Sequence, residues 1–296
     1  MTRWTAADIP DQTGRTFIVT GANSGLGLET ARQLAAKGAD VIMTARSEAK
    51  GRAAAASIGG SNLDLRLLDL SDLDSVRAFA EGVEHVDVLV NNAGIMMPPR
   101  SLTKQGFELQ FGTNHLGHFA LTGLLFDRLR KGQDARIVTV SSSLHRSGSI
   151  HFDDLTGERK YSPTGFYSQS KFANVLFGLE LDRRLRAAGL PLRSLLAHPG
   201  YSSTNLQSSG PTGIVKQLMK VSNVIMAQSV EMGALDQLYA ATAPGAESGQ
   251  FIGPDRLSES RGHPKVVQPV KSAQDPETAR RLWDLSEDLT GVRFTF

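Results

Sequence analysis

Tyr167 and Lys171 stand four residues apart in a segment of helical composition, so their side chains share one helix face. A free phenol titrates near 10 and is a poor acid or base at neutral pH. An ammonium about 4 Å away, at an effective dielectric of about 20, is worth about 4 kcal/mol. That would bring the phenol toward neutrality, less what desolvation takes back. The result would be a general acid–base. The pair is common by chance, so it needs other groups around it before it carries a reaction.

Two such groups are present. The apolar run at 136–140 ends in Ser141, Ser142 and Ser143. A serine at the C-terminal end of a parallel strand projects into the crevice where ligands bind. Its hydroxyl can hold a substrate oxygen and donate to developing alkoxide charge. Ser142 is expected to be that residue, although a loop or helix cap is the plainer use of such a triplet. Asn114 is expected to open the helix that follows strand four. It serves there either as an ordinary N-cap or as the holder of a water that relays protons to Lys171.

A glycine loop supplies the partner chemistry. The first strand runs into Thr20-Gly21-Ala22-Asn23-Ser24-Gly25-Leu26-Gly27. Glycine tolerates positive φ and lets backbone approach a ligand closely. A strand, a glycine loop and a helix N-terminus together offer N–H groups to a pyrophosphate. Gly21, Asn23, Ser24, Gly25, Leu26 and Gly27 are expected to line it, unless the loop is only a tight turn. The second strand ends in Thr44, Ala45 and Arg46, with no acid for a ribose 2′-hydroxyl. Arg46 is suited to a 2′-phosphate, which favours NADP(H) over NAD(H), while a solvated surface charge is the alternative. Asp69 and Leu70 can flank the adenine, and Asp69 can equally be only a cap. Asn91, Ala93 and Gly94 close the fourth strand, where backbone can line the adenine ribose.

The elements that must position these groups read as alternating strands and helices. Strands are expected at 16–20, 41–44, 65–68, 86–90, 136–140, 192–197 and 250–252. Helices are expected at 26–37, 47–57, 76–82, 114–130, 165–188, 229–241 and 280–289. Asp69, Ser71 and Asp72 are candidate caps for the third helix. Nearly continuous apolar strands between helices mean a mostly parallel sheet covered on both faces. The expected fold class is α/β, a Rossmann-type doubly wound sheet of seven parallel strands in a single domain, 1–296. Its core runs from about 15 to 252, and a tail at 253–296 packs on or near the substrate side.

The 296 residues, 40% hydrophobic and 21% charged, are those of an ordinary globular protein with a large core. A net charge of +2, with acids and bases mixed, gives no nucleic-acid footprint. The absence of cysteine excludes disulfides, thiolate zinc sites, iron–sulfur clusters and a cysteine nucleophile. It fits a reducing, cytoplasmic setting. No signal peptide and no membrane span are expected. His115 and His118 share metal-ligand spacing but lack a third ligand, so helix packing is the expectation and no metal is assigned. His145 and His151 sit in the inserted loop, where they can touch substrate, and surface-loop residues are the expectation. An apolar stretch at 214–226 can be either a lid over a lipophilic substrate or core.

Taken in order, Thr20-Gly21-x-x-x-Gly25-x-Gly27, Asn91-Asn92-Ala93-Gly94, Asn114, Ser142, Tyr167-x-x-x-Lys171 and Pro199-Gly200 resemble the short-chain dehydrogenase/reductase family over about 15–252. His151-Phe152-Asp153-Asp154-Leu155, Tyr167-Ser168-Gln169-Ser170-Lys171 and Ala173-Asn174-Val175-Leu176-Phe177 are similar to its retinol dehydrogenase-like branch. That branch includes the WW-domain oxidoreductase and actinobacterial-type members.

The resemblance implies catalysis by Asn114, Ser142, Tyr167 and Lys171, with Lys171 also on the nicotinamide ribose. It also implies that Pro199, Gly200 and Thr204 lie near the nicotinamide amide, and that homodimers or homotetramers form through the two long helices. The stretch between Ser142 and Tyr167 is longer than in most of the family, which bears on substrate shape. The expected activity is NADP(H)-dependent interconversion of an alcohol and a carbonyl on a small lipophilic alcohol, aldehyde or ketone. The alternatives are a low-turnover dinucleotide-binding regulatory protein and a C=C reductase related to protochlorophyllide reductase.

Overall fold

Apolar residues alternate sides along the central strands, and this sorts the core into two layers. Phe17, Val19, Val88, Val90 and Val138 face one way, and Ile18, Leu89 and Ile137 the other; all are fully buried. The computed structural model describes residues 3–200 and 228–296.

The strands are β1 (Thr16–Val19), β2 (Asp40–Ala45), β3 (Leu63–Leu67), β4 (Val88–Asn91), β5 (Arg136–Val140), β6 (Arg193–Ala197), β7 (Phe251–Arg256) and β8 (Arg261–Val267). They form one sheet in the order β3-β2-β1-β4-β5-β6-β7-β8. The first seven run parallel, and β8 pairs antiparallel with β7. The strand order reverses between β1 and β4, which opens a crevice at their C-terminal ends.

The α-helices are α1 (Gly25–Ala36), α2 (Glu48–Ile58), α3 (Leu73–Glu81), α5 (Pro163–Ala187), α6 (Val230–Thr242) and α7 (Pro276–Thr290). Between α3 and α5 lies α4, a composite of Leu109–Phe111, a π-helical stretch Gly112–Leu116, and Gly117–Leu129. Helix α3 starts at the Asp72 cap, which takes the Asp74 N–H, whereas Asp69 serves the local turn with Ser71.

The eighth strand comes from the segment read above as tail. Its sequence, with Arg261, Pro264 and Lys265, has no apolar alternation, and it forms because an edge strand tolerates proline and charge. The rest of the tail crosses to the outer face of the two long helices. Trp283 of α7 is fully buried between Phe119 and Phe177, and Phe294 packs on Phe119 and Phe126. Gly123 permits this approach: a Cβ there would lie 2.5 Å from Val292. Part of the outer face of the two long helices is therefore covered by the chain's own C-terminus. No helix among the described residues is long and apolar enough to cross a membrane.

Candidate active site

Strand β5 ends at Val140, and Ser142 caps a 3-10 turn (Ser143–Ser147) by accepting the Leu144 N–H. Its hydroxyl also faces the Tyr167 phenol. Helix α5 begins at the Ser162 cap with Pro163 in its first turn, so Tyr167 and Lys171 fall on the face turned to the sheet. Both are nearly fully buried.

Their electrostatics differ from the expectation. The Lys171 ammonium lies 5.9 Å from the Tyr167 ring centre and donates to the Val140 carbonyl at 3.1 Å. Burial pushes the phenol up to about 12, with the Ser142 hydrogen bond pulling the other way. Burial also pushes Lys171 down to about 8. Desolvation is the leading cause of both shifts, so the lysine by itself does not make a phenolate. The resting arrangement is a neutral phenol, which is a proton donor.

Asn114 is not an N-cap. The cap of α4 is Glu108, which takes the Phe111 N–H at 2.8 Å, and Asn114 sits in the π-helical stretch one turn further on. The extra residue per turn aims its amide across to α5. Nδ2 donates to the Ile95 carbonyl (3.0 Å) and to Ser170 Oγ (2.9 Å), while Oδ1 accepts the Ile95 N–H (2.8 Å). Ser170 Oγ in turn donates to the Tyr167 carbonyl at 2.8 Å. Both amide hydrogens and Oδ1 are thus engaged in holding the end of β4 and the start of α5. The Asn114 backbone carbonyl takes His118 Nδ1 at 3.0 Å.

The glycine loop has the form of an anion cradle. Gly21 and Gly25 adopt φ of +66° and +55°. A Cβ on Gly27 would lie 2.5 Å from the Gly21 carbonyl oxygen, so only glycine lets α1 come this close. Ser24 is the N-cap of α1, but its hydroxyl takes no N–H among the described residues, which leaves the first-turn amides to an anion. Asn92 braces the loop through the Thr20 carbonyl (2.7 Å). These residues fit a dinucleotide pyrophosphate. Arg46 is exposed at the end of β2 and makes no ion pair among the described residues.

The other expected cofactor residues divide. Gly94 lies against Asn114 and Lys171: a Cβ there would meet Asn114 Oδ1 at 3.2 Å and Lys171 Nζ at 3.5 Å. Ala93 packs under Gly21. The Asn91 side chain turns inward to Thr122. Leu70 is buried, its carbonyl packed against Gly117 of α4. Asp69 spends one carboxylate oxygen on Ser71. Pro199 and Gly200 follow β6, with Gly200 at φ +60°. Thr204 and the apolar stretch 214–226 lie outside the described residues.

The family model for short chain dehydrogenases matches residues 15–213. The chain belongs to the short chain dehydrogenase family. It is 42% identical to human retinol dehydrogenase 13 over 293 residues, covering 94% of this chain and 85% of that protein. It is 40% identical to human retinol dehydrogenase 12 over 291 residues, covering 95% and 88%. The crystal structure of an uncharacterized protein from Mycobacterium paratuberculosis matches it with a TM-score of 0.86 at 48% identity over the whole of both chains. The chain is an oxidoreductase of the retinol dehydrogenase-like branch.

In this short chain dehydrogenase several working residues escape a reading by motif. His145, expected on a surface loop, is buried: Nδ1 donates to the Ser142 carbonyl (2.7 Å) and Nε2 accepts the Val270 N–H (3.3 Å). Burial pushes it down to about 4, so it stays neutral and fixes the serine turn. His115 and His118 turn to different partners, Ser286 and Thr20. Gln110 and Tyr161 pin the 95–98 loop: Gln110 Oε1 takes the Met97 N–H, and Tyr161 donates to the Pro98 carbonyl. Only His118 left a signal in the sequence, its i+4 spacing from Asn114. The others depend on chain crossings.

Proposed function

We propose that this chain is an NADP(H)-dependent oxidoreductase that interconverts an alcohol and a carbonyl on a lipophilic substrate, with Tyr167 as the proton carrier. The observation that carries this reading is the meeting of the Ser142 hydroxyl and a neutral, buried Tyr167 at the end of β5, with Lys171 directly behind them. In the reducing direction Tyr167 gives its proton to the carbonyl oxygen, and Ser142 donates a hydrogen bond to the same oxygen as charge develops on it. In the oxidising direction Tyr167 takes the hydroxyl proton.

Gly21, Gly25, Gly27 and the open end of α1 would hold the pyrophosphate, Arg46 the 2′-phosphate, Lys171 the nicotinamide ribose, and Pro199 and Gly200 the carboxamide. When bound, the nicotinamide supplies or accepts the hydride. NADP(H) is favoured because β2 ends without an acid and Arg46 is unpaired among the described residues.

The lipophilic substrate is supported by the kinship with retinol dehydrogenases. It is also supported by Ile95, Met96 and Met97, an apolar run held beside the first turn of α5. Met97 has φ +54°, and its sulfur meets the Thr164 hydroxyl at 3.7 Å, one helical turn before Tyr167. The test is turnover on a panel of lipophilic aldehydes and ketones with NADPH and NADH. We expect NADPH-dependent reduction. No turnover together with tight NADPH binding would instead favour a regulatory dinucleotide binder.

A further inference from the structure

The turn joining β7 to β8 is unusual in its backbone. Leu257, Ser258 and Glu259 have φ of +48°, +52° and +64°, three successive left-handed residues with none of them glycine. Such conformations are costly and persist where the surroundings impose them, often at functional sites. Here the surroundings are the two segments that frame the nicotinamide end of the site.

Glu259 bridges them. Its carboxylate accepts Arg146 Nη2 at 2.7 Å, and Arg146 belongs to the 3-10 turn capped by Ser142. The same carboxylate oxygen lies 3.3 Å from Nε2 of His198, a fully buried ring that precedes Pro199. On its other side the His198 ring accepts the Gly200 N–H through Nδ1, so Nε2 is left beside Glu259 as a close polar contact that lacks hydrogen-bond geometry, and the charged hydrogen bond of the bridge is the one from Arg146. The next residue closes over the turn: a Cβ on Gly200 would stand 2.4 Å from the Ser260 carbonyl oxygen. A second tie joins the hairpin to the same turn, because Gln228 donates to the Pro199 carbonyl (2.8 Å) and accepts the Gly262 N–H (3.0 Å).

We infer that the β7–β8 hairpin is a clamp for the nicotinamide end of the site, with Glu259 as its positioning residue. Glu259 locks the Pro199–Gly200 turn, through His198, to the Ser142 turn, through Arg146. The inference rests on the reading that Pro199 and Gly200 receive the nicotinamide amide. Glu259 touches no reacting atom. It sets the distance between the segment that seats the nicotinamide and the segment that holds the substrate oxygen.

A comparison of two ligands tests this without relying on turnover. NADPH reaches both ends of the site, and 2′-phospho-ADP-ribose lacks the nicotinamide. Glu259→Ala is expected to weaken NADPH about tenfold, the scale of one lost charged hydrogen bond, and to leave 2′-phospho-ADP-ribose within about twofold. Glu259→Gln is expected to fall between the two. Should the alanine variant not fold, Glu259→Gln and Arg146→Met carry the same comparison. Unchanged affinity for both ligands overturns the clamp. Equal weakening of both overturns it too, since that is general loss of structure. If the wild-type protein binds the two ligands equally well, the placement of the nicotinamide at this turn is wrong, and the clamp falls with it.

Discussion

His118 stands between Thr20 and Asn114 as a strut of fixed tautomer. The Asn114 carbonyl can only accept, so Nδ1 carries the proton given to it at 3.0 Å, and Nε2 is left to accept the Thr20 hydroxyl at 2.9 Å. Thr20 Oγ1 in turn takes the Asn92 and Ala93 N–H groups, each at 2.9 Å. Burial holds the ring neutral, pushing it down to about 4. The strut links the root of the glycine loop to the π-helical turn that positions the amide of Asn114.

His118→Phe keeps an aromatic ring, somewhat larger than imidazole, and removes both bonds. It is expected to cost about 1–3 kcal/mol of stability, because the Thr20 and Asn114 groups stay buried. It should also weaken dinucleotide binding. Denaturant unfolding and a fluorescence titration check this, and wild-type values in both would show that the strut is idle.

The pH profile of reduction follows from the two buried groups. Lys171 is charged below about 8 and Tyr167 stays protonated up to about 12. We expect kcat/KM for carbonyl reduction to fall as pH rises through about 8, where Lys171 loses its charge, and Lys171→Met to abolish that break together with most activity. Tyr167→Phe should remove nearly all turnover and leave dinucleotide affinity within a few-fold. A profile flat through about pH 8, or an active phenylalanine variant, contradicts this assignment.

Arg46→Asp is expected to shift preference from NADP toward NAD. A carboxylate there would repel a 2′-phosphate and accept from a ribose 2′-hydroxyl. The ratio of kcat/KM for the two cofactors measures it, and an unchanged ratio rejects the 2′-phosphate role.

Asp236 of α6 is fully buried, and neither carboxylate oxygen has a hydrogen-bond partner among the described residues. Burial, and next the charge of Asp255, raise it well above the usual carboxylate range. A raised folded-state value means that its stability contribution is present below the unfolded value of about 3.9. It is lost as pH climbs through the folded one. Over that window Asp236→Asn should gain on wild type by about 1.4 kcal/mol per pH unit. Melting temperatures of both proteins across the acidic to neutral range decide it. A constant difference would show that Asp236 does not titrate as described.

Helix and strand periodicity located seven strands and their covering helices to within a few residues, because each buries a local apolar pattern that neighbours in sequence already display. Strand β8 was hidden, since Arg261, Pro264 and Lys265 form a strand only when β7 offers them an edge. The start of α4 was hidden as well. Its cap is Glu108, and the π-helical stretch that carries Asn114 is held by bonds to Ile95 and Ser170, distant in sequence or on another helix.

The sequence by itself determined the α/β architecture, the glycine loop and the order Asn114, Ser142, Tyr167 and Lys171, because these depend on residue type and short spacing. The tertiary structure alone decided the protonation of the Tyr167–Lys171 pair, since burial sets it and spacing does not reveal burial. It also decided the destination of the C-terminal segment. One part buttresses the Pro199–Gly200 turn through Glu259 and Gly262, and another seals the long helices with Trp283 and Phe294. Contacts between segments far apart in the chain leave no local pattern, and they exist only once the sheet has brought their two ends together.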